Sequence, residues 1–336
     1  MLAIQRHFLL VLGSILLLFA CMLEATARAQ ESGKEPSKSA LFGSGHGLDH
    51  VGIAVRDLET AKKRYRDLGF TLFGGSKHPG LGTRNSGPGF ESGYLELLAV
   101  WDRTKAIGGM LATFLEKHEG GLFVGLDVTP VDETAKLLRE RGFTVHGPEA
   151  ASAIEDTEQH DQPPNYGSWR FLGFPGGPIP AAHQPAKSSD TVFFLQYDPF
   201  VGNVHANTAK RLTSVWMAVT DLKASVPTYE SMGFRASGRL PVVQLGAQGQ
   251  EIEAGQGSIL LLQPENSTGK VASFLAERGA EGIMGVSIEV ASLQTARTVL
   301  EANTRRQFQP YAGPYGNSIL IPPDLTHGMW IEFFQK

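Results

Sequence analysis

The chain has 336 residues, 30 Lys and Arg against 34 Asp and Glu, and a formal net charge of −4. Nearly balanced charge without a basic block gives no footprint for nucleic-acid binding, and a single cysteine excludes a disulfide framework. Once a leader is set aside, the remaining length suits two ordinary domains.

Residues 1–29 read as a secretory signal. Arg6 and His7 precede the apolar run Phe8 to Met22, and Ala27-Arg28-Ala29 supplies small residues at a cleavage-site spacing. The mature protein is then exported, periplasmic or secreted, with no membrane span after signal removal. The run is short for a span; an uncleaved anchor, or a lipid on Cys21, is the alternative. Residues 30–45 are polar and read as a disordered tether.

The first structured stretch is the strand Leu48 to Val55. Its alternation puts Val51, Ile53 and Val55 on one face and His50, Gly52 and Ala54 on the other. Asp57 then stands as an N-cap, Leu58, Ala61, Tyr65 and Leu68 recur at helical spacing, and Gly69 fits a stop. A second strand, Tyr94 to Val100, divides Leu95, Leu97 and Ala99 from Tyr94, Glu96 and Leu98. If the apolar faces meet a helix, His50 and Glu96 share the opposite concavity.

Repetition fixes the organisation. A strand ending in valine and followed by a polar helix occurs four times, at Val55, Val128, Val219 and Val290. The middle interval is the longest, which pairs the four modules into domains 46–205 and 206–336. Two short helices, Thr113 to His118 and Ser273 to Arg278, deliver the chain to the second module of each pair. The Pro- and Gly-rich stretch 147–190 is long for one connection and reads either as a lid or as an insert.

The phrases LDHVGIAVRDLETAKKRYRDLGF (48–70), HPGLGTRN (78–85) and GYLELLAV (93–100) resemble the vicinal oxygen chelate superfamily, and within it the glyoxalase-like domain group. The resemblance implies an α+β fold of tandem domains, each with two βαβββ modules forming an open cup-shaped sheet. It further implies metal ligands on the first and last strands of each module. Alignment on the marker valines sets His50 against Phe123, Ser214 and Gly285, and Glu96 against Gln196, Leu260 and Glu332. By the resemblance, the expected ligands of a divalent metal ion are His50, Glu96 and Gln196, with Phe123 a wall in place of a fourth; a metal-free hydrogen-bonded pair of His50 and Glu96 that fixes the strands is the alternative. The second domain keeps Glu332 alone and is expected to hold no metal.

His78, Arg84 and Asn85 of the HPGLGTRN turn are expected to face the cup and hold a polar or anionic ligand; a plain β-turn is the alternative. His205 and Asn207 either close the same cup or cap the third module. Glu96 is the candidate base, with His78 second.

Two functions follow from the resemblance. One is a metal-dependent enzyme of lyase, isomerase or dioxygenase type acting on a small substrate with neighbouring oxygens. The other is a metal-free binding protein of the bleomycin-resistance type. Both take a small-molecule ligand, and a homodimer is left open. The leader reading predicts a mature N-terminus near Gln30, checked by mass spectrometry of the native protein; an intact Met1 overturns it.

Overall fold

The structure, a computed structural model, describes residues 41–156, 167–175, 187–197 and 202–336. The expected leader, most of the tether, part of the 147–190 stretch and part of the domain link lie outside the described residues. No described helix is long and apolar enough to cross a membrane.

The first half contains β1 (Gly47–Ala54), α1 (Leu58–Asp67), β2 (Phe73–His78), β3 (Thr83–Gly87), β4 (Tyr94–Val100) and α2 (Ala106–Lys117). It continues with β5 (Gly120–Asp127), α3 (Val131–Glu140), β6 (His146–Ser152), β7 (Ile154–Glu155), β8 (Ser168–Gly173) and β9 (Val192–Gln196). The second half repeats the plan with β10 (Ala209–Ala218), α4 (Leu222–Met232), β11 (Arg235–Val242), β12 (Ala247–Ala254) and β13 (Gly257–Pro264). After α5 (Lys270–Arg278) come β14 (Gly282–Val290), α6 (Leu293–Thr304), β15 (Tyr311–Gly313), β16 (Gly316–Ile321) and β17 (Trp330–Gln335). The fold is α+β, with two curled sheets.

The sheets run β6-β8-β9-β5-β1-β4-β3-β2-β7 and β11-β12-β13-β10-β14-β17-β16-β15. In each, the first strands of two modules lie antiparallel at the centre, β1 against β5 and β10 against β14, and each first strand pairs in parallel with its module's last. The expected helix is present: the Asp57 side chain accepts from the Thr60 amide, and Gly69 takes a positive φ of 86° where the chain leaves it.

The first sheet has a closure that the second lacks. Residues 146–155 pair with β8 at one edge and then with β2 at the other, so one run of chain straddles both ends of the sheet. Its far end is fixed by Asp156, fully buried, 3.2 Å from Lys77 Nζ.

Packing joins the halves. One apolar cluster includes Val51, Ile53, Leu95 and Leu97 beneath α1, and Val215, Met217, Ile259 and Leu261 beneath α4. The tether expectation ends too late: Leu41 and Phe42 are buried, and the Phe42 ring meets Phe234 edge-on at 5.3 Å. Two large apolar side chains buried there contribute roughly 1.5–3 kcal/mol each, which is why polar neighbours do not keep them in solvent. The Arg278 guanidinium also donates to Glu119 O at 2.6 Å across the halves. A shared core predicts one unfolding transition. Fluorescence of variants keeping only Trp169 or only Trp216 should give coincident denaturation midpoints; separated midpoints overturn this.

Candidate functional site

A cavity of about 600 Å3 opens in the first sheet. His50, Asn85, Glu96 and His78 line it together with Phe73, Phe123, Trp169 and Phe193.

His50 stands there because of two local features of β1. Strand pairing passes from Leu48 opposite Leu126 to His50 opposite Gly125, which leaves Asp49 as the extra residue of a β-bulge. The bulge lets the Asp49 carboxylate reach its neighbour, and His50 Nδ1 lies 2.6 Å from Asp49 Oδ2. A carboxylate only accepts, so Nδ1 is the donor in this bond, and in the neutral ring Nε2 keeps the lone pair. Opposite, Gly125 leaves the ring its space: a Cβ there would lie 2.2 Å from His50 Cε1. Tyr94 stacks on the other side of the imidazole at 4.5 Å, and the Phe123 and Phe193 rings meet it edge-on at 5.7 and 5.6 Å.

Hydrogen bonds extend from both ends of this histidine. The Tyr197 hydroxyl donates to Asp49 Oδ1 at 2.5 Å. On the other side, His50 Nε2 is 3.8 Å from Glu96 Oε2, while Glu96 Oε1 accepts from the Asn85 amide at 2.6 Å. Asn85 Oδ1 is fixed in turn by the Ser76 hydroxyl at 2.8 Å. Burial, with the negative charges of Glu96 and Asp49 added, holds the Tyr94 phenol well above its ordinary range. Burial does the same to Tyr197, helped by Asp49. Both therefore remain protonated donors at neutral pH.

His78 also faces the cavity. Its Nδ1 is 2.9 Å from the Thr83 hydroxyl and its ring meets Trp169 at 5.5 Å. Burial pulls its pKa below the ordinary value, so it is neutral near pH 7.

Four sequence-predicted residues are turned elsewhere. Gln196 is not opposite the cup: the amides of Val55, Val128 and Val219 donate to Leu98 O, Leu195 O and Leu262 O, so the true equivalent of Glu96 and Leu260 is Phe193. Gln196 lies three residues further on, an odd shift that reverses the face. Its side-chain oxygen instead accepts from the Val131 amide at the start of α3, as Gln263 does for Leu222 and Gln335 for Leu293, each at 2.9 Å. The recurrent endings FFLQ, LLLQ and EFFQ carry that signal in the sequence.

Arg84 sits between the cavity residues Thr83 and Asn85 and so points outward, 4.0 Å from Asp156. His205 is a clasp: its Nδ1 accepts from the Thr71 amide at 3.0 Å and its Nε2 donates to Gly89 O at 2.9 Å. Asn207 donates to Leu68 O at 3.0 Å and accepts from the Ala209 amide at 3.1 Å. Both tie the domain link to the end of α1 rather than close the cup. Tyr94 lies on the face it shares with Glu96, as alternation has it, but was given no role; Asp49, Tyr197 and Phe193 were missed, Asp49 because strict alternation sends it away from His50 and only the bulge turns it back.

The matching place in the second half is filled. Trp216 stands where the first half has Gly52, and its indole donates to the Ser287 hydroxyl at 2.9 Å. Ser287 and Tyr311 donate to the two oxygens of the fully buried Glu332 at 2.6 and 2.7 Å. Trp216, Leu260 and Met284 pack with Phe274 of α5 as a secondary core.

Paired modules, a curled sheet and a cavity at the first and last strands are those of the vicinal oxygen chelate superfamily. The family model described as a glyoxalase-like domain matches residues 48–233, more than half of the chain, and the chain belongs to that family. No curated protein matches the sequence. The structure is similar to that of a hypothetical protein from Staphylococcus aureus at 14% identity and TM-score 0.56, over 86% of this chain and 99% of that one. It is also similar to a mutant 4-hydroxymandelate synthase from Streptomyces coelicolor at 12% identity and TM-score 0.56, over 87% and 93%. A methylmalonyl-CoA epimerase from Mycobacterium tuberculosis aligns at 20% identity and TM-score 0.35, over 38% and 89%. At these identities the likeness concerns the fold.

Two substitutions separate the roles assigned above. Gln196→Ala should lower stability by about 1 kcal/mol, the loss of a helix-end hydrogen bond, and leave ligand binding intact. Gly125→Ala should displace the His50 ring, at about 1–3 kcal/mol for overpacking, and weaken binding. Denaturant melts with calorimetric titration check both.

Proposed function

We propose that the first-half cavity is an enzyme site that moves a proton on a small carbonyl-containing molecule, with His50 Nε2 as the base. The observation that carries this is the Tyr197–Asp49–His50 chain ending 3.8 Å from Glu96. Asp49 fixes the tautomer and orientation of the ring, and the carboxylates on both sides attract the imidazolium formed when Nε2 takes the proton. The electron pair left on carbon moves to the carbonyl oxygen, toward which His78 presents its other ring nitrogen. Return of the proton from Nε2 to the same face of that carbon completes an exchange cycle, and return to the neighbouring carbon with the hydroxyl proton passing to the former carbonyl oxygen completes an isomerase-type one, with no net change of atoms. Glu96 then steadies the charged base rather than acting as the base itself.

The divalent metal implied by the sequence resemblance was tested against the donors present. Phe123 and Phe193 occupy two of the four cup positions and Gln196 is turned away, which leaves His50 Nε2 and Glu96 Oε2. Among the described residues, no group of three or more His, Cys, Asp and Glu could hold an ion. This set does not fit a three-ligand centre, and no step here runs through a metal. The apolar leader supports placing this activity outside the cytoplasm.

The test is deuterium exchange at carbons next to carbonyls, followed by proton NMR in heavy water over a panel of small oxo compounds. Exchange should occur with the unmodified, chelator-dialysed protein and fall by about 100-fold or more in His50→Gln. Exchange that vanishes on chelation and returns with a divalent ion replaces this reading with a metal-dependent one. Compounds that bind without exchanging support a binding protein instead.

A further inference from the structure

The sign of charge around the cavity identifies the class of molecule it takes; this rests on the cavity being the ligand site proposed above. The nine strands of the first sheet contain three cationic side chains, Lys77 in β2, Arg84 in β3 and Arg170 in β8. Each stands beside or between cavity-lining residues, Lys77 between Ser76 and His78, Arg84 between Thr83 and Asn85, Arg170 between Trp169 and Phe171. Strand alternation therefore sends all three to the outer face.

There they are engaged with carboxylates. Lys77 Nζ lies 3.2 Å from Asp156 Oδ1, Arg84 is 4.0 Å from the same buried carboxylate, and Arg170 makes a two-pronged pair with Asp132 at 2.6 and 2.8 Å. No lysine or arginine is among the described residues lining the cavity. The stretches 157–166 and 176–186 contain none in their sequence.

Negative charge is arranged the opposite way. Glu96 is buried inside, Asp49 lies directly behind His50, and Glu149 lines the cavity at its exposed rim. His78, neutral by burial, does not offset them. The remaining walls are aromatic, with Phe73, Tyr94, Phe123, Trp169 and Phe193 turned inward. An anion entering here would leave water and face the Glu96 and Glu149 carboxylates, with no lysine or arginine among the described lining residues to compensate. An uncharged polar group finds donors and acceptors, and an ammonium finds carboxylates and ring faces.

We propose that the ligand is a ring-bearing molecule whose polar end is uncharged or an ammonium, and that carboxylate- and phosphate-bearing compounds are excluded. Of the polar or anionic ligand expected when Arg84 was placed in the cup, this keeps the polar class and drops the anionic one.

The experiment uses naphthoate, naphthamide and naphthylmethylamine, three probes of one shape and different charge. Each is titrated calorimetrically into the whole protein at neutral pH, and NMR shifts of the His50 ring confirm the site. The amide and the amine should bind about tenfold or more tightly than the acid. Glu96→Gln should erode the advantage of the amine. Glu149→Lys, on the exposed rim where folding is not at stake, should raise affinity for the acid. Naphthoate binding to the unmodified protein as tightly as naphthamide overturns the inference. That failure is distinct from failure of the proton-transfer reading, which is decided by exchange in His50→Gln and not by charge preference.

Discussion

The site depends on a volume constraint at the centre of the first sheet. Two antiparallel strands, β1 and β5, each point a large ring at the other, and each ring occupies space its partner vacates by having glycine there. A Cβ on Gly125 would lie 2.2 Å from the His50 ring, and one on Gly52 would lie 2.5 Å from the Phe123 ring. Packed interiors do not absorb such overlaps cheaply. The glycines therefore fix where imidazole and phenyl lie, and the position of Nε2 against Glu96 follows from them.

The second half shows what the same backbone does when that constraint is relaxed differently. Trp216 replaces the equivalent of Gly52, and Gly285, the counterpart of His50 and Phe123, now makes the space, since its Cβ would lie 2.5 Å from the indole. The cup becomes core. Glu332 and Glu96 occupy the same place in their modules, yet Glu332 is fully buried with Ser287 and Tyr311 on its two oxygens. Glu96 has Asn85 on one oxygen and faces His50 and the cavity with the other. A carboxylate with both oxygens bonded within the protein holds structure together, whereas one aimed into a cavity is available to a ligand.

Charge separation across the first sheet follows from the two-residue period of strands. Placing Lys77, Arg84 and Arg170 next to inward residues guarantees that they face out, and Asp156 and Asp132 hold them there. The Lys77–Asp156 contact also secures the run 146–155 against β2. The strap that closes the sheet and the outward direction of positive charge are thus one arrangement.

Much of this was legible in the residues alone. The repeating valines and polar helices mark four modules, and alternation put His50 and Glu96 on the side where the cavity lies, because face is a local property of a strand once its ends are known; His78 and Asn85 line the cavity too, but were expected there as parts of a turn. Register is not local. Gln196 and Phe193 are both plausible ends of FFLQ, and only the pairing of β9 with β5 decides that Phe193 faces the cup; three residues of slip invert the side chain. Arg84 was misplaced by treating a strand residue as part of a turn. His205 and Asn207 find their partners in Thr71, Gly89 and Leu68, which lie more than 100 positions away in the chain. Asp49 reaches His50 through a bulge created by the partner strand. Sequence determined which residues could do chemistry, and tertiary structure decided which of them meet, because direction within a strand is set by neighbours in the chain while register, bulges and closure are set by strands paired across the sheet.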